Sequence, residues 1–314
     1  MRLRPLALFS TAAVAALLLS GCAGEAEPAA TETPGNADVC SQVASPGALS
    51  DSVKVTGEFG EPAEVTFDAK QEVTDVQRTV VTEGDGAKIG EGDFVSYAMS
   101  AFDTESGERL GDLGYAEGEM LPQNVLANQA LAQVIGCATI GTRAAVVLPA
   151  AETTGTQVYI IDVLKAVPTA AWGKAQEPTE GMPTVKLAKN GEPAITIPDA
   201  DEPSELKIEV LKQGDGPAVA DGDTTLLQYY GAKWSDGETF DSSWQKGQPI
   251  SIPGNTYVAG FVQALAGQKV GSQVQVVIPP ALAYGEDPEA HELGGETLVF
   301  VIDILATQHV ASAQ

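Results

Sequence analysis

The chain has 314 residues, with 43 acidic side chains against 17 basic ones and a formal net charge of −26. That length allows about two domains, and a hydrophobic share of 44% is ordinary for chains that bury a core. So strong a negative charge argues against binding nucleic-acid phosphates or anionic lipid headgroups electrostatically; it leaves solubility, or a preference for basic clients.

Arg2 and Arg4 precede an apolar run from Leu6 to Leu19 and then small residues, the order of a secretory signal. The run is short for ~30 Å of hydrocarbon. Leu19-Ser20-Gly21-Cys22 resembles the bacterial lipobox. The resemblance implies that residues 1–21 are removed and that Cys22 carries the acyl chains holding the protein to the extracytoplasmic face of the cell membrane. Residues 25–36 are rich in Pro, Ala, Thr and Glu, without apolar periodicity, which predicts a disordered tether leading into an N-terminal arm, 22–51 together.

An internal repeat organises the rest. VVTEGDGAKIGEGD from Val80 lies against VLKQGDGPAVADGD from Val210, a separation of 130 residues that also carries Gly107 onto Gly237 and Gly141 onto Gly271. It then jumps by eleven, so that TQVYIIDVL from Thr156 matches TLVFVIDIL from Thr297. The repeat predicts a first domain over 52–168, a Pro- and Gly-containing linker over 169–183, a second domain over 184–308 and a tail over 309–314. In each copy, alternating apolar runs bounded by glycines predict about six antiparallel strands, in the first VKVTG, AEVTF, DVQRTVV, AAVVLP and QVYIIDVL. Helical spacing appears only over 124–135 and 256–266. Each copy is thus an α+β unit, strands wrapped over one short helix.

After removal of the leader, Cys40 and Cys137 remain beside Cys22. An even pair in an exported chain points to a disulfide pinning the N-terminal arm, the alternative being two separately buried thiols. His291 and His309 have no zinc-ligand spacing around them, and both are expected to face solvent. No phosphate loop, dinucleotide fingerprint or nucleophile elbow occurs, so no cofactor or metal is expected.

In the second copy, aromatic and branched side chains recur at the predicted element ends: Tyr229, Phe240, Ile250, Val258, Phe261, Tyr284 and Phe300, with the carboxylate Asp241 among them. A mostly apolar cleft with few polar groups suits a small uncharged ligand or a peptide turn and is a poor design for hydrolysis. Six ordered phrases, Tyr229-Tyr230-Gly231, Gly237 to Ser243, Val258 to Phe261, Gly267 to Gly271, Ala283 to Gly285 and Thr297 to Phe300, resemble the FKBP family of macrolide-binding peptidyl-prolyl cis-trans isomerases.

That resemblance implies a twisted antiparallel half-barrel wrapped around one short helix in each domain, and an enzyme acting on proline-containing unfolded or nascent exported polypeptides, with a macrolide as possible ligand. It implies Phe261 as the floor under a proline ring, where many relatives carry tryptophan, and Tyr229, Phe240 and Phe300 as walls. The Val258 N–H and the Tyr284 hydroxyl would bond substrate carbonyls, and Asp241 would face or orient the amide. Ile250, Tyr257 and Leu293 would complete the rim. Taken singly, the strand aromatics read more readily as core, and Asp241 beside Ser242-Ser243 could be an ordinary turn former; their joint occurrence, and joint loss in the first copy, favours a site.

Carried back through the repeat, Tyr229, Phe240, Asp241, Val258 and Phe261 become Met99, Leu110, Gly111, Asn128 and Leu131, and the eleven-residue deletion removes the Tyr284 loop. The first domain is therefore expected to share the scaffold without catalysing. The competing reading is an extracytoplasmic chaperone or scaffold whose isomerase activity is incidental.

Overall fold

Glycine turns cut the chain into antiparallel strands whose successive side chains serve two different cores. The computed structural model describes residues 38–68, 73–126, 129–254 and 256–310. The expected signal segment, Cys22, the tether as far as residue 37, Asn128 and the tail from 311 lie outside the described residues.

The first half contains α1 (Ala48–Ser52), β1 (Lys54–Thr56), β2 (Glu64–Thr66), β3 (Gln77–Thr82), β4 (Phe94–Asp103), β5 (Arg109–Leu113), β6 (Gln123–Asn124), α2 (Ala130–Ile135), β7 (Arg143–Leu148) and β8 (Gln157–Val167). Strands β1 and β2 form a hairpin; the others form an antiparallel sheet in the order β3-β7-β8-β4-β5, with β6 on β4. Alternation decides which face each residue serves. Ala144 and Val146 of β7 join Ala132 and Ile135 of α2 and Val95, Ile161 and Val163 in one cluster. Ala145 and Val147 join Leu49 of α1 and Val53, Ala63, Phe102 and Ile160 in another. Both faces being covered, β7 reads as a continuous apolar run.

The second half contains β9 (Lys174–Ala175), β10 (Thr184–Leu187), β11 (Pro193–Thr196), β12 (Lys207–Gln213), β13 (Thr224–Lys233), β14 (Thr239–Ser242), β15 (Ile250–Pro253), α3 (Ala259–Leu265), β16 (Gln273–Ile278) and β17 (Leu298–Gln308). Its sheet runs β14-β13-β17-β16-β12-β9, with β15 on β13; without β9 this is the order of the first sheet. Val274, Val276 and Ile278 face α3, while Val277 and Val299 pack with Trp234 and with Met182, Ile195 and Ile197 around the β10–β11 hairpin.

The repeated aspartate of the last strand does different work in each half. Buried Asp162 pairs with Arg143 (Nε–Oδ1 2.6 Å), whose guanidinium also donates to the carbonyls of Gly57, Glu58 and Glu61. Gly60 N–H donates to Asp162 at 2.8 Å, so the pair clamps the β1–β2 turn to the sheet. Asp303 accepts instead from Gln273 Nε2 and from the Ala171 N–H, each at 2.7 Å.

Several expectations change. The linker is docked: Lys212 Nζ donates to the Ala171 carbonyl, Gly173 N–H to Gly271, and β9 pairs with β12. Residues 37–314 accordingly form a single compact unit. Phe94, Leu121 and Val167 pack against Leu226 and Leu305, and a cavity of about 320 Å³ opens beside them between the sheets. Over its described residues, 38–51, the N-terminal arm is structured, with Leu49 of α1 wholly buried. The helix expected over 124–135 begins only at Ala130, since Gln123 and Asn124 pair with β4 instead. That expected over 256–266 begins at Ala259, after an extended Val258.

His309 does not simply face solvent. Its N–H reaches the Gly118 carbonyl, and its Nδ1 lies 2.8 Å from buried Asp223. Cys40 and Cys137 are joined in a disulfide, Cα atoms 4.8 Å apart, tying the arm to the end of α2.

Candidate functional site

The second sheet curls around α3, and the element ends nearest that helix bring the sequence-derived residues together. Strand β13 supplies Tyr229; β14, in register with Gly231 opposite Asp241, supplies Phe240 and Asp241. Strand β15 supplies Ile250, the start of α3 supplies Tyr257, Val258 and Phe261, and β17 supplies Phe300. Tyr229, Phe261, Leu293 and Phe300 belong to one buried cluster, against which Phe240, Ile250, Tyr257 and Val258 pack partly exposed.

Ring geometry is mostly edge-to-face, the arrangement that the aromatic quadrupole favours. Phe261 lies 5.2 Å from Phe300 at 86°, Phe240 5.4 Å from Phe300 at 90°, and Tyr229 6.4 Å from Phe261 at 89°. Gly231 makes this possible: a Cβ there would fall 2.7 Å from Phe240 and 2.9 Å from Phe300. The repeat places Ala101 at that position in the first half, with Leu110 and Tyr159 for the two phenylalanines.

One polar constellation faces these rings. Tyr229 Oη donates to Asp241 Oδ2 at 2.5 Å, and Lys246 Nζ lies 2.6 Å from Asp241 Oδ1 and 2.8 Å from Tyr229 Oη. Burial alone would raise the Asp241 carboxyl. The bonds from Lys246 and Tyr229, with the lysine's charge, outweigh it and hold the group below the usual aspartate value. Burial, then the bond to Asp241, pushes the Tyr229 phenol far up, so it stays a neutral donor. Ser243 fixes the strand carrying Asp241: its hydroxyl accepts from the Tyr229 N–H at 2.8 Å and donates to Gln228.

Lys246 was not among the residues read from the sequence. A usable signal existed, because it is the only lysine or arginine between Lys233 and Lys269, and a sole cation near a lone site carboxylate is a candidate partner.

Other placements differ from expectation. Phe261 is 0% exposed and Tyr229 1%, so the expected floor is closed; Tyr257 lies 4.8 Å from Phe261, tilted against it. Leu293 is core rather than rim. Tyr284 is exposed and stacks on His291, ring centroids 4.0 Å apart. Its phenol is raised by burial and by nearby Tyr257 and Asp241. The Val258 N–H donates to no group among the described residues, whereas its carbonyl accepts from Phe261 and Val262. Among the described residues no three His, Cys, Asp or Glu side chains stand close enough to hold a metal ion.

Residues 216–305 match the family model described as FKBP-type peptidyl-prolyl cis-trans isomerase. A probable FK506-binding protein of Corynebacterium glutamicum is 39% identical over 114 residues, covering 36% of this chain and 97% of that protein. An FK506-binding protein of Streptomyces anulatus is 36% identical over 118 residues, covering 36% and 95%. Among solved structures, FkpA from Escherichia coli aligns at 30% identity over 41% of this chain and 53% of its own, with a TM-score of 0.31.

Proposed function

The chain belongs to the FKBP-type peptidyl-prolyl cis-trans isomerase family, enzymes whose substrates are proline-containing polypeptides, and from that premise we propose that its second half performs this isomerisation on exported proteins. Rotation about the peptide bond is opposed by ~18–20 kcal/mol of resonance, yet for Xaa-Pro the two isomers are nearly balanced. No bond breaks, so no nucleophile is needed. A catalyst has to favour the twisted amide over the planar one. The planar form is the more dipolar, so moving it from water to an aromatic surface favours the twist.

The observation that carries this reading is the ring cluster of Tyr229, Phe240, Phe261 and Phe300 facing a single carboxylate. Phe240 and Tyr257 are the partly exposed rings against which a prolyl ring would pack, and Phe261 is reached only when Tyr257 moves aside. The Val258 N–H, without a partner among the described residues, and the Tyr284 hydroxyl are donors for substrate carbonyls. Asp241, held ionised by Lys246 and Tyr229, faces the amide. The first half, with Ala101 filling the space that Gly231 leaves to the rings, serves as scaffold. A macrolide would compete for the same rings.

A protease-coupled prolyl-peptide assay on the full chain tests this. Wild-type protein should accelerate the slow phase, and Asp241→Ala should lower kcat/KM roughly tenfold, ~1.4 kcal/mol of transition-state stabilisation. A wild-type rate equal to buffer favours the second reading, a client-binding module, for which the closed floor at Phe261 speaks.

Leu19 to Cys22 resemble a lipobox, and on that reading the enzyme sits on the extracytoplasmic membrane face, held by at least two acyl chains, which is what stable anchoring takes. Cys22→Ala should move the protein from the membrane to the soluble fraction. Retention of the variant on washed membranes would count against the anchor.

A further inference from the structure

Between the halves runs an open groove of about 420 Å³ that ends at Ile250 on the rim of the isomerase site. The first half lines it with Gln123, Asn124 and Gln129, and the second with Gln248, Ile250 and Ser251. None of its lining side chains is charged, although the chain has 60 acidic and basic residues in all, 43 and 17. A carboxamide offers both a donor pair and an acceptor, which complements the N–H and C=O of a peptide unit.

The backbone on either side points the same way. Strand β6 pairs only with β4, and β15 only with β13, so each has an outer edge without a strand partner among the described residues. Pro253 within β15 is tolerated because an edge needs no full ladder. Free strand edges are the surface on which extended peptides add. Across the groove Asn124 Nδ2 donates to Gln248 Oε1 at 3.3 Å, which holds the two walls in one register.

We propose that this groove is an extended-polypeptide subsite: the client chain whose Xaa-Pro bond occupies the isomerase pocket continues past Ile250 and lies in extended form between β6 and β15, held through its backbone amides. This rests on the isomerase reading and gives the first half a use that a spent catalytic domain would lack. Its effect falls on long substrates, since a tetrapeptide filling the pocket ends before the groove.

The test uses the full chain carrying Gln123→Ala and Gln129→Ala. Both side chains are exposed; Gln123 gives up one bond, Nε2 to the Leu121 carbonyl at 3.0 Å, and Gln129 makes no side-chain cap bond to α2, so the fold should be retained at a small cost in stability. Two substrates are compared: a chromogenic Xaa-Pro tetrapeptide, and a reduced, alkylated protein whose refolding is limited by prolyl isomerisation. Binding of a permanently unfolded, fluorescently labelled chain is measured separately by anisotropy.

Tetrapeptide kcat/KM should stay within about twofold. Protein-substrate KM and unfolded-chain Kd should rise roughly tenfold, the loss of one or two hydrogen bonds of ordinary net strength, with kcat unchanged. Unaltered KM and Kd for the long chains would overturn the subsite, and so would an equal loss on both substrates, which places the effect in the pocket. A wild-type protein inert on the tetrapeptide would sink the isomerase reading instead. The anisotropy measurement still decides the groove in that case, because it needs no turnover.

Discussion

Phe261→Ala in the full chain is expected to cost the second half roughly 3–5 kcal/mol, the usual range for emptying a buried aromatic site. The ring is 0% exposed and touches Phe300, Tyr257 and Tyr229. The helix cannot slide inward to fill the void. A Cβ on neighbouring Gly260 would fall 2.4 Å from Ile278, so the backbone of α3 is already against β16. Residual cavity volume is what pushes such substitutions to the upper end of their range.

The measurement is direct, because Trp172, Trp234 and Trp244 are the only tryptophans; two lie in the second half and Trp172 in the linker docked on it, beside Gly271. Urea unfolding followed by their fluorescence should show a lower midpoint with little change in slope. Phe261→Leu, which keeps more of the volume, should lose less. A loss under about 1 kcal/mol for the alanine variant, the size of a typical surface change or smaller, would mean that the ring is not core. If the alanine variant stays folded, its activity loss should exceed that of Asp241→Ala, since both the ring and the position of Tyr257 depend on it.

The second half was readable because short phrases with unusual geometry survive there: a glycine that admits two phenyl rings, a serine that ties β14 to β13, a valine that ends extended before a helix. Each constrains one position, and together they specify a site. What escaped depends on tertiary contact alone. Lys246 sits in a turn with no periodicity, and its role exists only because the turn folds back over Tyr229. The linker looked like a spacer by composition, yet Asp303 and Lys212 hold its backbone at Ala171.

Helix starts were misplaced for a local reason. Apolar spacing at 124–135 cannot distinguish two residues of strand from a first helical turn, and pairing with β4 decides it. The open floor expected beneath the proline ring was likewise a matter of side-chain packing, since sequence cannot say that Tyr257 leans onto Phe261.

Arg143→Gln puts the second half's arrangement into the first, since the repeat sets Gln273 opposite Arg143, and the expected result is a loss of roughly 3–5 kcal/mol. That is the range for breaking a buried ion pair by removing one partner. Here both side chains are nearly inaccessible, 5% and 0%, and the guanidinium also holds three carbonyls of the β1–β2 turn. A glutamine with one amide cannot replace five donors, so the hairpin should loosen first. Amide hydrogen exchange at Val55 and Val65 against the bulk of the sheet would show it.

The second half, which has Gln273 where the first has the arginine, should show a pH dependence of its own, with a sign that Asp303 supplies. Burial pushes the Asp303 carboxyl up, against the bonds from Ala171 and Gln273 and the charge of Lys212. A carboxyl raised in the fold binds its proton more tightly there than in the unfolded chain. Its contribution therefore favours the fold fully below the unfolded aspartate value of ~3.9 and is lost as pH rises through the folded one. Asp303→Asn should therefore flatten the fall in second-half stability between pH 4.5 and pH 7.5, read by circular dichroism in urea. An unchanged fall would mean that another group supplies it.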